Sequence, residues 1–307
     1  MGRIAIVGAG AVGGYYGGRL AVAGEDVSFL VRSGLAAWRR DGLRVESPEG
    51  NFHLEQPRVF GAAREIGPVD LVVVAWKATA NKHYAEAISP LLHDKTAILT
   101  LQNGLGNTET LAGLFGPERI LGGLCFVCIN RAGPARILHL AKGLVTIGEL
   151  HSGTASSVRL EEMVALFQSA EIECRAVEDL ARAQWVKLVW NVPFNGLCIA
   201  KGGINTAELL DRKGGAQEVR ILMYEVIAGA KALGKCINPK VIEQQIRATR
   251  EMGSYRPSSM IDYLEGSAVE VDAIWAEPLR RAEAAGARLP HWSRLLSEIR
   301  MRLAERS

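Results

Sequence analysis

A run of glycines near the start of the chain has the spacing of a phosphate-binding turn. The motif G-x-G-x-x-G is made by Gly8, Ala9, Gly10, Ala11, Val12 and Gly13. In such a turn the first glycine allows the sharp change of direction, the second lets the backbone approach a pyrophosphate, and the third lets helix and strand pack closely. The amides at the start of the following helix then face the phosphates. These six residues are predicted to bind a dinucleotide.

The prediction depends on the elements around the turn. Ile4–Val7 is an apolar run typical of a buried strand, a helical stretch follows to about Gly24, and residues 27–31 form a second apolar run. Strand, turn, helix and strand make the βαβ unit in which this motif binds a dinucleotide. The alternative is a glycine-rich turn with a purely structural role.

The residue after the second strand indicates which dinucleotide is bound. An NAD-binding unit usually has Asp or Glu there, which accepts a hydrogen bond from the ribose 2′-hydroxyl. This chain has Arg32, whose guanidinium can hold a 2′-phosphate with two charge-assisted hydrogen bonds. NADP(H) is therefore the expected cofactor, and a solvated surface arginine is the alternative.

A second candidate site lies in the C-terminal half of the chain. Lys187, Asn191 and Asn195 are spaced i, i+4 and i+8 in a segment otherwise rich in Trp, Val, Leu and Phe. One helix face therefore presents an ammonium and two amides in a row. Buried polar groups need partners, so three of them are costly to keep without a use. The alternative is a structural ion pair with amide hydrogen bonds between helices.

Two more polar residues are predicted at the carboxyl ends of buried strands. Residues 69–76 and 96–101 are apolar runs typical of central parallel strands, and Lys77 and Asn103 follow them. Open α/β sheets bind ligands at that edge. A solvated lysine and a simple Asn-Gly turn are the alternatives.

The remaining pattern predicts an α/β fold in two parts. Strands are expected at 43–46, 52–54, 118–129, 137–140, 144–149 and 172–174, and a helix at 158–169; from residue 179 onward the period is helical. We expect an N-terminal Rossmann-type dinucleotide-binding domain over residues 1–176, followed by an all-α C-terminal domain over residues 177–307 that holds the substrate and catalytic residues.

Composition restricts the class of protein. The chain has 307 residues, 48% of them hydrophobic, and a net charge of +3, so it can bury a large core but has no strongly basic surface for nucleic acid. No apolar stretch approaches the ~20 residues of a membrane span, and the first residues have no signal-peptide pattern. We expect a cytoplasmic protein with neither a membrane nor a nucleic-acid partner.

Five scattered cysteines do not suggest a metal or redox site. Cys125 and Cys128 form a C-x-x-C pair, but it lies in a predicted strand, where positions i and i+3 face opposite sides. No second pair completes a zinc site. These cysteines and the nearby His139 are expected to be structural.

Taken together, the motifs resemble those of the ketopantoate reductases (2-dehydropantoate 2-reductases) along essentially the whole chain. The matching residues are the glycine turn 8–13, Arg32, Lys77, Gln102-Asn103-Gly104, Trp185, Lys187, Asn191, Asn195, Ser258-Ser259-Met260 and Glu270-Val271-Asp272.

The resemblance implies NADPH-dependent reduction of ketopantoate to pantoate, a step of pantothenate and coenzyme A biosynthesis. It makes Lys187 the general acid that protonates the ketone oxygen and Glu270 the residue that positions this lysine. The implied substrate-binding residues are Asn191, Asn195, Ser259 and Asn103. On the cofactor side, Lys77 and Asn103 are implied near the nicotinamide.

Two departures from the family pattern concern the substrate side. The family usually has Asn-Pro-Leu-Thr where this chain has Asn195-Gly196-Leu197-Cys198. The segment between Ser259 and Glu270 is also one residue shorter. Either change could alter which 2-keto acid is preferred.

Other functions stay open at this point: an NADP-dependent reductase of another 2-keto acid, a β-hydroxyacid dehydrogenase, and a non-catalytic NADPH sensor. A β-hydroxyacid dehydrogenase would be expected to have spaced glycines just upstream of its lysine, but residues 179–185 of this chain contain no glycine. A sensor would not need Lys187, Asn191 and Glu270 together. The apolar C-terminal helices could pack on each other or bury the face of a homodimer.

Overall fold

A computed structural model describes residues 2–150 and 157–306. The chain forms two compact units, one of Met1–Gln102 with Asn107–Leu180 and one of Asn103–Gly106 with Ala181–Ser307. The main division at residues 180 and 181 is near the domain boundary predicted at residue 176. The short segment Asn103–Gly106 packs with the second unit although it is distant in sequence.

The first unit is built on one mixed sheet. Its strands are β1 (Ile4–Val7), β2 (Val27–Leu30), β3 (Leu43–Glu46), β4 (Phe52–Leu54), β5 (Arg58–Phe60), β6 (Leu71–Val74), β7 (Ala97–Thr100), β8 (Ile120–Gly133), β9 (Arg136–Glu149) and β10 (Cys174–Ala176). The order is β4-β3-β9-β8-β7-β6-β1-β2-β5, with β10 beside β9.

Six of these strands form a parallel sheet of the Rossmann type. β5, β2, β1, β6, β7 and β8 pair in parallel with their neighbours, which is the order 3-2-1-4-5-6 of a doubly wound dinucleotide-binding fold. The direction of winding reverses between β1 and β6. This strand order confirms the Rossmann-type fold predicted from the sequence. In such sheets the ligand binds beyond the carboxyl ends of the strands at the switch point.

Both faces of the central strands are buried. In β1, Ile4 and Ile6 belong to one apolar core, and Ala5 and Val7 belong to another. Side chains alternate between the two faces of a strand, so a run with no polar residue must be covered on both sides.

The helices of the first unit connect these strands. They are α1 (Ala11–Val22), α2 (Leu35–Asp41), α3 (Ala63–Ile66), α4 (Tyr84–Ile88), α5 (Asn107–Phe115) and α6 (Val158–Ser169), with 3₁₀ turns at Ala78–His83, Ser89–Leu91 and Pro117–Arg119. α6 has the predicted bounds because Ser157 caps it by accepting a hydrogen bond from the Leu160 N–H at 3.1 Å.

Three predicted strand assignments need correction. The strand expected at 118–129 is β8, which begins at Ile120, after the 3₁₀ turn Pro117–Arg119, and continues to Gly133. The separate strands expected at 137–140 and 144–149 are one long strand, β9, in which Lys142 has a φ of 64° and the pairing with β8 shifts register. A bulge interrupts the hydrophobic alternation without ending the strand. The strand expected at 172–174 begins instead at Cys174, because Glu171, with a φ of 57°, still belongs to the turn after α6.

The described part of the second unit is helical throughout its regular elements. They are α7 (Leu180–Ala200), α8 (Thr206–Asp211), α9 (Gly215–Ala232), α10 (Lys240–Glu251), α11 (Ser258–Leu264), α12 (Glu277–Ala284) and α13 (Pro290–Ala304), with one π-helical turn at Asp272–Ala276. The core of the unit surrounds α7, which is buried from Lys187 to Val189 and from Asn191 to Ala200. Among the described helices, none has both the length and the hydrophobicity to cross a bilayer.

Candidate active site

The glycine turn has the backbone geometry that its sequence requires. Gly8 follows β1 with a φ of 105°, a conformation that favours glycine. A Cβ at Gly8 would lie 2.4 Å from the backbone nitrogen of Trp76, in the loop after β6. A Cβ at Gly13 would lie 2.2 Å from the Gly8 carbonyl oxygen. The first and third glycines therefore permit close backbone packing at the switch point of the sheet.

The second glycine borders open space. A Cβ at Gly10 would meet nothing within 4 Å, and no side chain caps α1, which begins after Gly10. A helix start with uncapped amides is a binding site for an anion such as a pyrophosphate. In the same loop region the Trp76 indole nitrogen is buried and has no hydrogen-bond partner among the described residues. These features fit a bound dinucleotide.

Arg32 and Lys77 also belong to the first unit. Arg32 is exposed at the end of β2, directly after Val31, and no hydrogen bond or ion pair of its guanidinium is found among the described residues. Lys77 is half-buried, with extended backbone (φ −69°, ψ 146°), at the start of the 3₁₀ turn that follows β6. Lys77 therefore follows β6, which borders the switch point, and Arg32 follows β2, the strand on the other side of β1.

The three polar residues of α7 are buried, as their surroundings in the sequence predict. Lys187 is 8% exposed, Asn191 6% and Asn195 2%. A buried ammonium needs hydrogen-bond acceptors, because an unpaired charge in an apolar core is very costly. Partners for this face come from two segments far from α7 in sequence.

The first partner is Asn103. The Lys187 ammonium donates a hydrogen bond to Asn103 Oδ1, with 2.7 Å between Nζ and Oδ1. The short distance is typical of a charge-assisted bond. Asn103, predicted at the end of a strand, and Lys187, predicted on the polar face of a helix, are therefore in direct contact within the second unit.

The second partner is Ser259. The Ser259 N–H donates to Asn195 Oδ1 at 3.0 Å, and both residues are buried. Ser259 lies in the first turn of α11, where backbone N–H groups have no partner within the helix. Asn195 therefore caps α11 with its side-chain carbonyl oxygen, and this contact does not use its amide NH₂.

Glu270 lies between α11 and α12. It is 8% exposed, and its carbonyl oxygen accepts a hydrogen bond from the Ile274 N–H at 3.1 Å. The structure thus places Lys187, Asn191, Asn195, Ser259, Glu270 and Asn103 in the second unit. The glycine turn, Arg32 and Lys77 are in the first.

A buried polar chain that the sequence analysis did not identify precedes Asn103. Gln102 Oε1 accepts hydrogen bonds from Tyr84 and Thr100, and Gln102 Nε2 donates to Asn81 Oδ1 at 2.8 Å. Asn81 Nδ2 donates in turn to Asn107 Oδ1 at 2.8 Å. In the sequence, these hydrogen bonds are indicated by a glutamine directly after an apolar strand, a position where an unpaired amide would be costly.

His139 and two cysteines have structural surroundings. The His139 ring nitrogens lie 2.8 Å from Ser47 Oγ and 2.5 Å from the Lys142 carbonyl oxygen. Burial raises the pKa of the Cys174 and Cys198 thiols to about 12. No disulfide joins any of the five cysteines, all of which lie in the described part of the chain. No group of side chains that could hold a metal is found in residues 2–150 and 157–306.

Comparison with known proteins agrees with this arrangement. Residues 4–152 match the family "Ketopantoate reductase PanE/ApbA", and residues 179–303 match "Ketopantoate reductase PanE/ApbA C terminal". A 2-dehydropantoate 2-reductase from Nostoc sp. is 39% identical over 301 residues, covering 97% of this chain and 94% of the relative. The crystal structure of a 2-dehydropantoate 2-reductase from Geobacter metallireducens is 44% identical, with a TM-score of 0.95 over 97% of this chain and 99% of that chain. The chain therefore belongs to the ketopantoate reductase family and is an oxidoreductase with a Rossmann-type N-terminal domain and an all-α C-terminal domain.

Proposed function

We propose that this protein catalyses the NADPH-dependent reduction of ketopantoate to pantoate, a step of pantothenate and coenzyme A biosynthesis. The observation that carries the proposal is the buried Lys187 ammonium held 2.7 Å from Asn103 Oδ1. An ammonium fixed in an apolar surrounding can both stabilise negative charge on a carbonyl oxygen and protonate it. The choice of ketopantoate as the substrate rests on the chain's membership of the ketopantoate reductase family.

In this mechanism Lys187 is the general acid. Bound NADPH supplies the hydride that reaches the carbonyl carbon of the 2-keto acid. The Lys187 ammonium donates one proton to the carbonyl oxygen as negative charge develops there, so that the product carries a hydroxyl group. The neutral amine then recovers a proton from water. Asn103 holds the Lys187 side chain in place by accepting a hydrogen bond from one of its N–H groups.

The other residues of the second unit bind and orient. Asn191, Asn195 and Ser259 are proposed to hold the substrate carboxylate and hydroxyl with amide and hydroxyl donors. Glu270 is proposed to position Lys187. An acidic residue near the ammonium favours its protonated form, which is the form a general acid needs.

In the first unit the proposed cofactor site consists of the glycine turn, Arg32 and Lys77. The uncapped start of α1 and the open space at Gly10 support binding of the pyrophosphate. The exposed Arg32 guanidinium is proposed to hold the 2′-phosphate, which makes NADP(H) the preferred cofactor.

The test is NADPH oxidation by the purified protein with a panel of 2-keto acids. We expect the highest kcat/KM for ketopantoate, and lower values for straight-chain and smaller branched 2-keto acids. A higher kcat/KM for another 2-keto acid would assign a different substrate, consistent with the Gly196 and Cys198 departures. Oxidation of 3-hydroxy acids with NADP⁺ would indicate a β-hydroxyacid dehydrogenase. NADPH binding without any turnover would support the sensor and contradict the proposal.

A further inference from the structure

The π-helical turn Asp272–Ala276, here called the π turn, contacts every part of the second unit that carries a proposed lysine partner. We propose that the π turn is a positioning element that holds Asn103 and Glu270 in place relative to Lys187, and that Trp275 is its principal positioning residue. The inference rests on the proposed role of Lys187. Three contacts support it.

The first contact holds the Asn103 segment. The Leu105 N–H donates to the Ala273 carbonyl oxygen at 2.9 Å. A Cβ at Gly104 would lie only 2.2 Å from the same oxygen, so glycine lets the segment lie directly on the π turn. Asn103, whose side chain bonds the Lys187 ammonium, is the neighbouring residue.

The sequence explains why the Ala273 carbonyl can accept this bond. The Glu277 N–H donates to the Asp272 carbonyl, in the i to i+5 pattern of a π helix. In that pattern the donor to Ala273 would be residue 278, which is Pro278 and has no N–H. The Ala273 carbonyl therefore has no donor within the helix in the i+5 pattern and is open to Leu105.

The second contact holds α7. The Trp275 indole N–H donates to the Val192 carbonyl oxygen at 3.0 Å, and Trp275 is fully buried. Val192 directly follows Asn191. A Cβ at Gly196 would lie 2.8 Å from the indole nitrogen, so the glycine at this position, where the family usually has proline, makes room for the indole.

The third contact is with Glu270 itself. Its carbonyl oxygen accepts the Ile274 N–H at 3.1 Å, so the backbone of Glu270 is tied to the π turn. A shift of the π turn would therefore displace Glu270 and the Asn103 segment together with respect to α7. π-helical turns often lie at functional sites. Here the physical reason is that the π turn leaves the Ala273 carbonyl oxygen available to bind the Asn103 segment.

The experiment compares Trp275→Phe with Trp292→Phe. Both tryptophans are fully buried in the same helical core, but the Trp292 indole nitrogen has no hydrogen-bond partner among the described residues. The two variants remove similar volumes, and only the first removes a bond to α7. We expect Trp275→Phe to lower kcat by about ten- to a hundredfold, the scale on which small misplacements reduce catalysis. The KM for NADPH should stay near that of wild type.

The second readout is the pKa of Lys187, followed by NMR of protein labelled with ¹³C at the lysine Cε. The resonance is assigned with Lys187→Arg, and no substrate is needed. Asn103 accepts a hydrogen bond from the ammonium, and the proposed place of Glu270 is beside it. If Trp275→Phe displaces both acceptors, the charged form of Lys187 loses stabilisation and its titration should move to lower pH. The loss of kcat should begin at correspondingly lower pH, because the general acid must be protonated. Trp292→Phe should leave both unchanged.

A second pair of variants tests the same bond if Trp275→Phe does not fold. Gly196→Ala would place a methyl group 2.8 Å from the Trp275 indole nitrogen and 2.7 Å from Leu295 Cδ2, the end of a flexible side chain. The control Gly229→Ala places a methyl at 3.0 Å from Ala282 Cβ, away from the π turn. We expect the kinetic and titration changes only in Gly196→Ala. If both test variants match their controls in kcat and in the Lys187 titration, the positioning role is wrong. If wild type shows no turnover, the proposed function fails, and the titration still decides the positioning role.

Discussion

Lys187 and Asn103 are 84 positions apart in the sequence, yet the lysine Nζ lies 2.7 Å from the asparagine Oδ1. An amide oxygen accepts one of the three ammonium N–H groups and orients the side chain without cancelling its charge. The contact therefore fixes the position of the ammonium and leaves its positive charge available to a ligand.

Lys187→Ala tests the general acid. We expect kcat to fall by roughly 100- to 10,000-fold, the contribution of general acid catalysis, with an unchanged Kd for NADPH. Lys201→Ala is a control, since Lys201 directly follows α7 but pairs with Glu218 and Glu298. A Lys187→Ala enzyme within a few-fold of the wild-type kcat would rule out the assignment.

Glu270 should act through Lys187, and a double-mutant cycle measures this. If Glu270 positions the lysine, Glu270→Ala should reduce kcat/KM strongly in wild type and little in Lys187→Ala, because residues of one unit are not additive. The measurement is kcat/KM for ketopantoate in the four proteins. Additive effects would mean that the two residues act independently.

Asn195 should have a structural role that Asn191 lacks. Its carbonyl oxygen caps α11 by accepting the Ser259 N–H, so Asn195→Ala should lose about 1 kcal/mol of unfolding free energy more than Asn191→Ala, the usual cost of a lost cap. Both variants should raise the KM for the 2-keto acid. Urea unfolding curves give the comparison, and equal losses in the two variants would show that the cap contributes nothing.

Arg32 should determine the preference for NADPH. A charge-assisted hydrogen bond contributes about 1.5–3 kcal/mol, or roughly 10- to 150-fold in affinity. Arg32→Ala should therefore raise the KM for NADPH by one to two orders of magnitude and leave the KM for NADH nearly unchanged. The effect should shrink at high salt.

The control for this prediction is Arg39→Ala, which removes another exposed arginine, on α2. It should change neither KM. If wild type uses NADH as well as NADPH, or if Arg32→Ala weakens both cofactors equally, Arg32 does not select the 2′-phosphate.

Thiol reactivity should follow burial. The reactive form is the thiolate, and a pKa raised to about 12 in Cys174 and Cys198 lowers its population at pH 8 to about one in ten thousand. Cys236 is exposed and should react first with a disulfide reagent. Cys236→Ser should abolish the fastest phase and Cys198→Ser should leave it intact; the reverse result would show that α7 opens readily.

The sequence by itself determined the features that depend on neighbouring residues. The βαβ unit at the N-terminus, the helical half after residue 179 and the bounds of α6 follow from hydrophobic period, glycine placement and capping. The polar face of α7 follows from the spacing of Lys187, Asn191 and Asn195. The burial of these residues agrees with the apolar residues around them in the sequence.

Only the tertiary structure decided which distant residues meet. The pairing of Lys187 with Asn103, the cap that Asn195 provides for α11 and the bond from Trp275 to Val192 join segments with no shared local pattern. The continuity of β9 through Lys142 likewise depends on its pairing with β8. A local pattern records which face of an element is buried, but the partner on that face is selected by packing and by the need of each buried polar group for a hydrogen bond.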